Sequence, residues 1–403
     1  MFGQPMVFHC NHYNRTLQQF IEDPDYVDSE RIFRMSSAET VYLQMREFLK
    51  QYPQADFEGI LRVASDLFQF SGFGKLDFSG ISEDGGAVVG EESHFGRALR
   101  LNVGDRDVPG EYLDQGFVAG VLLAASHHLD LPLADGFEIH QTKSISMGDE
   151  RCRFEVDPRA DYGWLEKLRP DPVRSLPTAP GPEEFVPAED LEVDEKAIIE
   201  AVADLDLSGN EDGLIPRFGL YLTRNYADYY NKSSFRFMKA VEREMGSLGP
   251  AETLLKETGH ICGFHTFGGI MTSPEWEAVV EPQIDSLQGW VHGMVAIINA
   301  LGWGVWRVEE LVPDDRLVVR AYNAYESTGH LRWFGESEDP VEFLVQGGAS
   351  ALMNLVYYGD IAERDSTSKE LYYKLFKEKG GFDAEFTHSI AAGDDYVRVE
   401  VTR

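Results

Sequence analysis

Two of the three cysteines in this 403-residue chain stand beside histidines. One cluster reads Phe8-His9-Cys10-Asn11-His12-Tyr13-Asn14, the other Gly259-His260-Ile261-Cys262-Gly263-Phe264-His265-Thr266-Phe267-Gly268-Gly269. Imidazole and thiolate are ligand types for zinc, iron and copper. A cysteine paired with a histidine is also the arrangement that activates a thiol nucleophile. In a helix, His9 and His12 share a face, and so do Cys262 and His265, because positions three apart are neighbours. The glycines of the second cluster would let backbone approach a ligand closely. The candidate catalytic residues are therefore His9, His12, His260, Cys262 and His265. The candidate metal ligands are His9, His12, His260 and His265, around one iron, zinc or copper ion where the clusters meet. The plainer alternative is that these histidines satisfy core hydrogen bonds and the cysteines fill space.

Other chemistries have no signature. No phosphate-binding glycine loop, dinucleotide fingerprint or Ser-His-Asp pattern is present, so no nucleotide cofactor is expected. The net charge of −33 opposes nucleic acid and anionic membranes as partners. No apolar run reaches the roughly 20 residues that span a bilayer. The first residues lack a basic head before an apolar core, so no signal peptide is expected. Three widely spaced cysteines fit a reducing cytoplasm. The acidic surface reads as a solubility feature or as complementarity to a cationic partner.

The elements that must position the clusters come in two series. Residues 144–156 read SISMGDERCRFEV and residues 389–401 read SIAAGDDYVRVEV. Four further pairings run in the same order. Ala38-Glu39-Thr40 pairs with Ala251-Glu252-Thr253, and the stretch 57–78 with 287–308. Glu111-Tyr-Leu-Asp-Gln-Gly pairs with Glu342-Phe-Leu-Val-Gln-Gly, and His12-Tyr13-Asn14 with Tyr229-Tyr230-Asn231. Collinear repeats of this length indicate a duplicated unit. In the first copy, 14–21, 38–52 and 57–71 have helical spacing, and Gly72 stops the third helix. Residues 74–89 and 97–101 read as strand, 111–130 as a helix with a small-residue face, and 137–156 as a hairpin with a Gly-Asp turn. The second copy carries about 17 further residues after its Ala-Glu-Thr, over HICGFHTFGGIMTSPEW. Seven of the eighteen prolines fall in 158–193, which reads as a linker before a short acidic helix at 194–206. The loop 204–215 has calcium-like spacing but ends on Ile215 where a bidentate Glu is needed, so it reads as a helix end and loop.

The ending Ser-Ile-x-x-Gly-Asp-x-x-Cys-Arg-Phe-Glu-Val, preceded by a small-residue helix and an acidic strand, resembles the 4-vinyl reductase domain family, also described as hydrocarbon-binding. The likeness is sharpest over 105–156 and weaker over 341–401. It implies an α+β fold, an antiparallel sheet with helices packed on it, related to TRAPP-subunit ligand-binding domains, and a small apolar or aromatic ligand. Zinc-bearing members place a Cys at the position of Cys152, a second eight residues earlier and a Glu three before that. Here the latter two are Ser144 and Gln141, and the second copy has Val397, Ser389 and Phe386, so no metal is expected at the hairpins. Cys152 then reads as core.

The expectation is thus two fused domains, 1–157 and 214–403, the second with an insertion near 254–275, joined by the linker 158–213 and packed as a pseudo-twofold pair. Aromatics near the paired Gly-aromatic-Gly motifs, Trp290, Trp303 and Phe73, are candidates to line a ligand or cofactor pocket. The implied activity is binding a small, largely apolar or aromatic molecule, with a metal- or thiol-dependent transformation of it. The alternative is a non-catalytic sensor or carrier, tetrapyrrole binding included, that signals to a protein partner. A cytoplasmic monomer or homodimer fits either.

Overall fold

The computed structural model describes residues 1–134, 136–158, 193–364 and 366–403. The first series is β1 (Met6–Cys10), α1 (Asn11–Glu22), α2 (Ser29–Gln51), α3 (Phe57–Phe70), β2 (Gly74–Asp77), β3 (Ile81–Ser82), β4 (Gly85–Ser93), α4 (His94–Val103), α5 (Tyr112–Leu129), β5 (Phe137–Lys143) and β6 (Cys152–Pro158). After α6 (Glu195–Ala203) and β7 (Ile215–Arg217) the succession begins again. It runs β8 (Leu220–Tyr226), α7 (Ala227–Met245), α8 (Gly249–Met271), a short α9 (Pro274–Val279), α10 (Leu287–Ala300), β9 (Val305–Val312), β10 (Arg316–Tyr322), α11 (Tyr325–Trp333), α12 (Phe343–Met353), α13 (Lys369–Phe376), β11 (Asp383–His388) and β12 (Val397–Thr402). The fold is α+β, with helices packed on antiparallel sheets. Most of the proline-rich linker lies outside the described residues.

The two large sheets share one strand order, β2-β4-β6-β5 in one half and β9-β10-β12-β11 in the other. A register shift between Gln141 and Lys143 recurs between Phe386 and His388. The strands that open the two series, β1 and β8, pair antiparallel with each other from Met6↔Tyr226 to Cys10↔Leu222. Equivalent strands paired antiparallel are related by a twofold, so this small sheet joins the halves at their axis.

The repeated Ser-Ile-x-x-Gly-Asp is a turn tied to a buried carboxylate. Ser144 Oγ donates to Glu111 at 2.7 Å and the Ser146 N–H to the same carboxylate at 2.7 Å. Ser389 Oγ donates to Glu342 at 2.8 Å. Asp149 accepts the Ser144 N–H and Asp394 the Ser389 N–H, at 2.9 and 2.8 Å. Gly148 and Gly393 turn at φ +99° and +104°, where a side chain would strain the backbone. Gln141 and Ser144, the two departures from the zinc-bearing pattern, both bond to Glu111. Cys152 is core, its thiol pushed up by burial and by Glu111.

Two expectations are corrected. Residues 97–101 belong to helix α4, not a strand: buried Ser93 caps it by accepting the Gly96 N–H at 3.1 Å. The Ala-Glu-Thr pairing also fails. Ala251–Thr253 lies in the first turn of α8, whereas Ala38–Thr40 is in the middle of α2. The helix crossings give the true register. A methyl on Gly116 of α5 would lie 2.5 Å from Ser37 Cβ, and one on its counterpart Gly347 would lie 2.7 Å from Gly259 Cα. A methyl on Gly120 would lie 2.8 Å from Val41 Cβ, and a methyl on Gly263 meets the counterpart of Gly120, Ala351, at 2.5 Å. Ser37 therefore matches Gly259, Val41 matches Gly263, and Glu39 between them matches Ile261. The HICGFH stretch is thus ordinary α8, with a counterpart in α2, and the extra length of the second half falls partly before it, in the longer α7, and partly after it, around α9.

Candidate ligand cleft and a buried thiol–imidazole chain

His9 projects from β1 into a wholly buried aromatic nest. Its ring stacks on Tyr13, with centroids 3.9 Å apart, and lies near Trp303 on the other side at 5.2 Å. Its Nδ1 lies 3.5 Å from Cys262 Sγ on α8, and its Nε2 lies 3.2 Å from the Tyr325 hydroxyl, which is 3.3 Å from that of Tyr13. Cys262, His9, Tyr325 and Tyr13 thus form a continuous hydrogen-bonded chain across the twofold. Burial holds His9 well below its usual pKa and pushes the Tyr325, Tyr13 and Cys262 groups well up. Every member is neutral at physiological pH. Cys10, the N-cap of α1, is buried beside Cys262. Burial raises its thiol, but bonds to Cys262 and Thr266 outweigh this and bring it to about 7. Cys262 is wholly buried, and its thiol is pushed well up by that burial and by Cys10.

His12 and His265 meet one turn outward. Their rings stack at 3.8 Å with an interplanar angle of 11°. Burial lowers His12 to about 4 and His265 to about 3, with the Arg15 cation adding to both shifts. His9 does not share a helix face with His12, because the chain turns from β1 into α1 between them. His260 is apart from both groups: it stacks on Phe376 at 4.9 Å and lies 3.4 Å from Glu257. Among the described residues no three His, Cys, Asp or Glu side chains gather as a metal ion would need. The two imidazoles of His12 and His265 have no third ligand beside them among the described residues.

The stacked pair opens on a cleft of about 830 Å³ between α1 of the first half and α8, α13 and the β7–β8 turn of the second. Phe218, Leu220, Ile261 and Tyr372 give it apolar walls, and Arg15, Lys369 and Lys377 bring positive charge. Its one carboxylate among the described lining residues is Glu257, bonded to Tyr372 and Lys377 and held at about 2: its bonds to His260, Lys377 and Tyr372 outweigh a burial that would raise it.

No family model and no curated protein sequence matches the chain. Among solved structures, the phenol-responsive sensory domain of the transcription activator PoxR, with phenol, aligns at a TM-score of 0.30 and 11% identity, over 42% of this chain and 73% of that one. That likeness is partial, and the cleft is read from its own residues.

The aromatics expected at a pocket are elsewhere. Trp303 is 1% exposed and donates its indole N–H to the Phe8 carbonyl at 2.8 Å; Phe73 is wholly buried between Phe68 and Tyr226. Trp290 packs on Trp276. Large rings of this kind bury more surface in a core than at a rim, and none of the three lines this cleft. Sequence reading missed Arg15, Glu257, Tyr372 and Lys377. Arg15 carried one signal, its place three residues after His12 on a helix; the others had none, being brought in by tertiary packing.

Proposed function

We propose that the protein binds a small molecule with an apolar or aromatic body in the cleft between its halves, and that it acts as a binding or sensing module built from two 4-vinyl-reductase-like halves, 1–157 and 214–403. The observation that carries this reading is the cleft itself: apolar walls with a few convergent polar groups, among them the stacked His12 and His265, are the usual make-up of a small-molecule site. The ligand-binding function implied by the Ser-Ile-x-x-Gly-Asp resemblance points the same way. A thiol-dependent reaction is the weaker reading, because Cys262 and His9 are buried, neutral and hydrogen-bonded to each other. A metal-dependent one would need a further ligand to join His12 and His265. Three buried free cysteines fit work in the cytoplasm.

The test is calorimetric titration with a neutral aromatic probe, 1-naphthalenemethanol. Wild-type protein is expected to bind it, and Ile261→Trp, which fills the cleft, to lose binding while keeping its unfolding midpoint. Binding that persists in Ile261→Trp protein would place the ligand elsewhere, and absence of binding to the wild type would remove the reading.

A further inference from the structure

The twofold makes each half a control for the other. α1 packs on α8 in the cleft, and α7 packs on α2 in the equivalent place. The pairing of His12-Tyr13-Asn14 with Tyr229-Tyr230-Asn231 makes Lys232 of α7 the counterpart of Arg15 of α1. Both are cations facing the partner helix. Lys232 is 1% exposed and bonds to the buried Glu39 carboxylate at 2.9 Å, which also takes both oxygens' bonds from Arg236 at 2.7 Å. Trp333 covers the ammonium at 3.8 Å. That side is closed and its charge is compensated.

The cleft side lacks the acid. The helix register puts Ile261 where the other half has Glu39. Arg15 and Ile261 both line the cleft. No described carboxylate pairs with Arg15, and its buried Nε has no hydrogen-bond partner. The neighbouring imidazoles are held neutral by burial, and among the described residues the buried Cys10 thiol is the acidic group that acts on Arg15, without offsetting its burial. Among the described residues Arg224 is likewise half-buried without an ion pair, but it lies on the Phe8 and Phe70 rings and bonds to the Leu207 carbonyl, whereas Arg15 faces the cleft. Taking an unpaired charge out of water is costly unless something pairs with it, and a planar guanidinium fork matches a carboxylate in two parallel hydrogen bonds.

We infer that the cleft takes an aromatic carboxylate, with Arg15 holding the anionic group and the apolar wall at Phe218, Leu220 and Ile261 holding the ring. The ligand's carboxylate fills the place that the Glu39 carboxylate fills in the other half. The neutral His12 and His265 rings stand beside it as further hydrogen-bond donors. This rests on the reading of the cleft as a small-molecule site and specifies its ligand class.

The experiment compares 1-naphthoate with 1-naphthalenemethanol, which differ in the carboxylate, by calorimetry on the full chain. Wild-type protein is expected to prefer the naphthoate by tenfold or more. Arg15→Gln is expected to lose that preference, and Arg15→Lys to regain part of it. Equal affinity of the wild type for the two probes overturns the inference and leaves the cleft as a site for neutral molecules. A preference that survives in Arg15→Gln also overturns it, by assigning the anion to another group. If neither probe binds, both readings fall together. The wild-type comparison decides even where a variant does not fold.

Discussion

At the scale of single residues, the chemistry of this protein is set by what burial does to titratable groups. His94 is the clearest case. Its Nε2 bonds to Asn14 at 3.0 Å, its Nδ1 is buried without a partner, and burial lowers it to about 3. The unfolded chain binds a proton there as pH falls through the ordinary value of 6.5, while the folded protein does not until about 3. Stability therefore falls on acidification through this window, by about 1.4 kcal/mol per pH unit for such a group. Urea titrations at pH 6, 5 and 4 should show a shallower decline for His94→Gln than for the wild type; parallel lines would mean that His94 is protonated in the fold. The residue scale is also where sequence reading did unevenly. His12 and His265 were legible as types, but not that they would stack, nor that His260, on the same helix as His265, would face Phe376 instead. A cluster in sequence names the chemistry available; which face each ring takes depends on the helix register against its neighbours.

At the scale of elements, the hairpins were legible because their turn chemistry is local. A Gly at positive φ followed by an Asp that caps the turn leaves its mark in the sequence. The Glu that anchors each turn lies more than thirty residues away at the start of α5 or α12, and its pairing was legible only as a repeat, without its role. That role has a measurable consequence. The buried Glu111 carboxylate accepts from Ser144, Ser146, Gln141 and the Gly110 N–H. Glu111→Ala leaves the Ser146 N–H without its acceptor, and Gly110, Gln141 and Ser144 with only their second ones, Ser146 Oγ, the Lys143 carbonyl and Ser146 Oγ. A buried donor left wholly unpaired costs about 1–3 kcal/mol, beside the loss of the anchor's packing. We expect a loss of at least about 3 kcal/mol in urea unfolding, and a smaller one for Glu111→Gln. A cost under 1 kcal/mol would mean that the hairpin stands without its anchor. The Ala-Glu-Thr error also belongs to this scale: two similar tripeptides on equally long helices aligned by letters, where glycine contacts align them differently.

At the scale of the whole molecule, the halves are joined by backbone as well as by side chains. The β1–β8 ladder, the Glu39–Lys232–Arg236 ion cluster and the Cys262–His9–Tyr325 chain all cross between them. Unfolding in urea should be a single transition with coincident circular dichroism and tryptophan fluorescence; two separated transitions would show independent halves. Glu39→Gln leaves Lys232 buried without its counter-charge and is expected to cost about 3–5 kcal/mol, as breaking one side of a buried pair does. An unchanged urea midpoint would show that water or Asp228 compensates the ammonium.

The closed side of the twofold has a consequence for how the protein answers its ligand. A duplicated fold ordinarily offers two equivalent seats, and with them the possibility that filling one alters the other. Here the seat beside α7 is occupied permanently by Glu39, a carboxylate the chain supplies itself. A titration should therefore saturate at one equivalent per chain with a Hill slope of one. On the proposed reading the response to ligand concentration is graded, and any sharpening of it would come from association between chains.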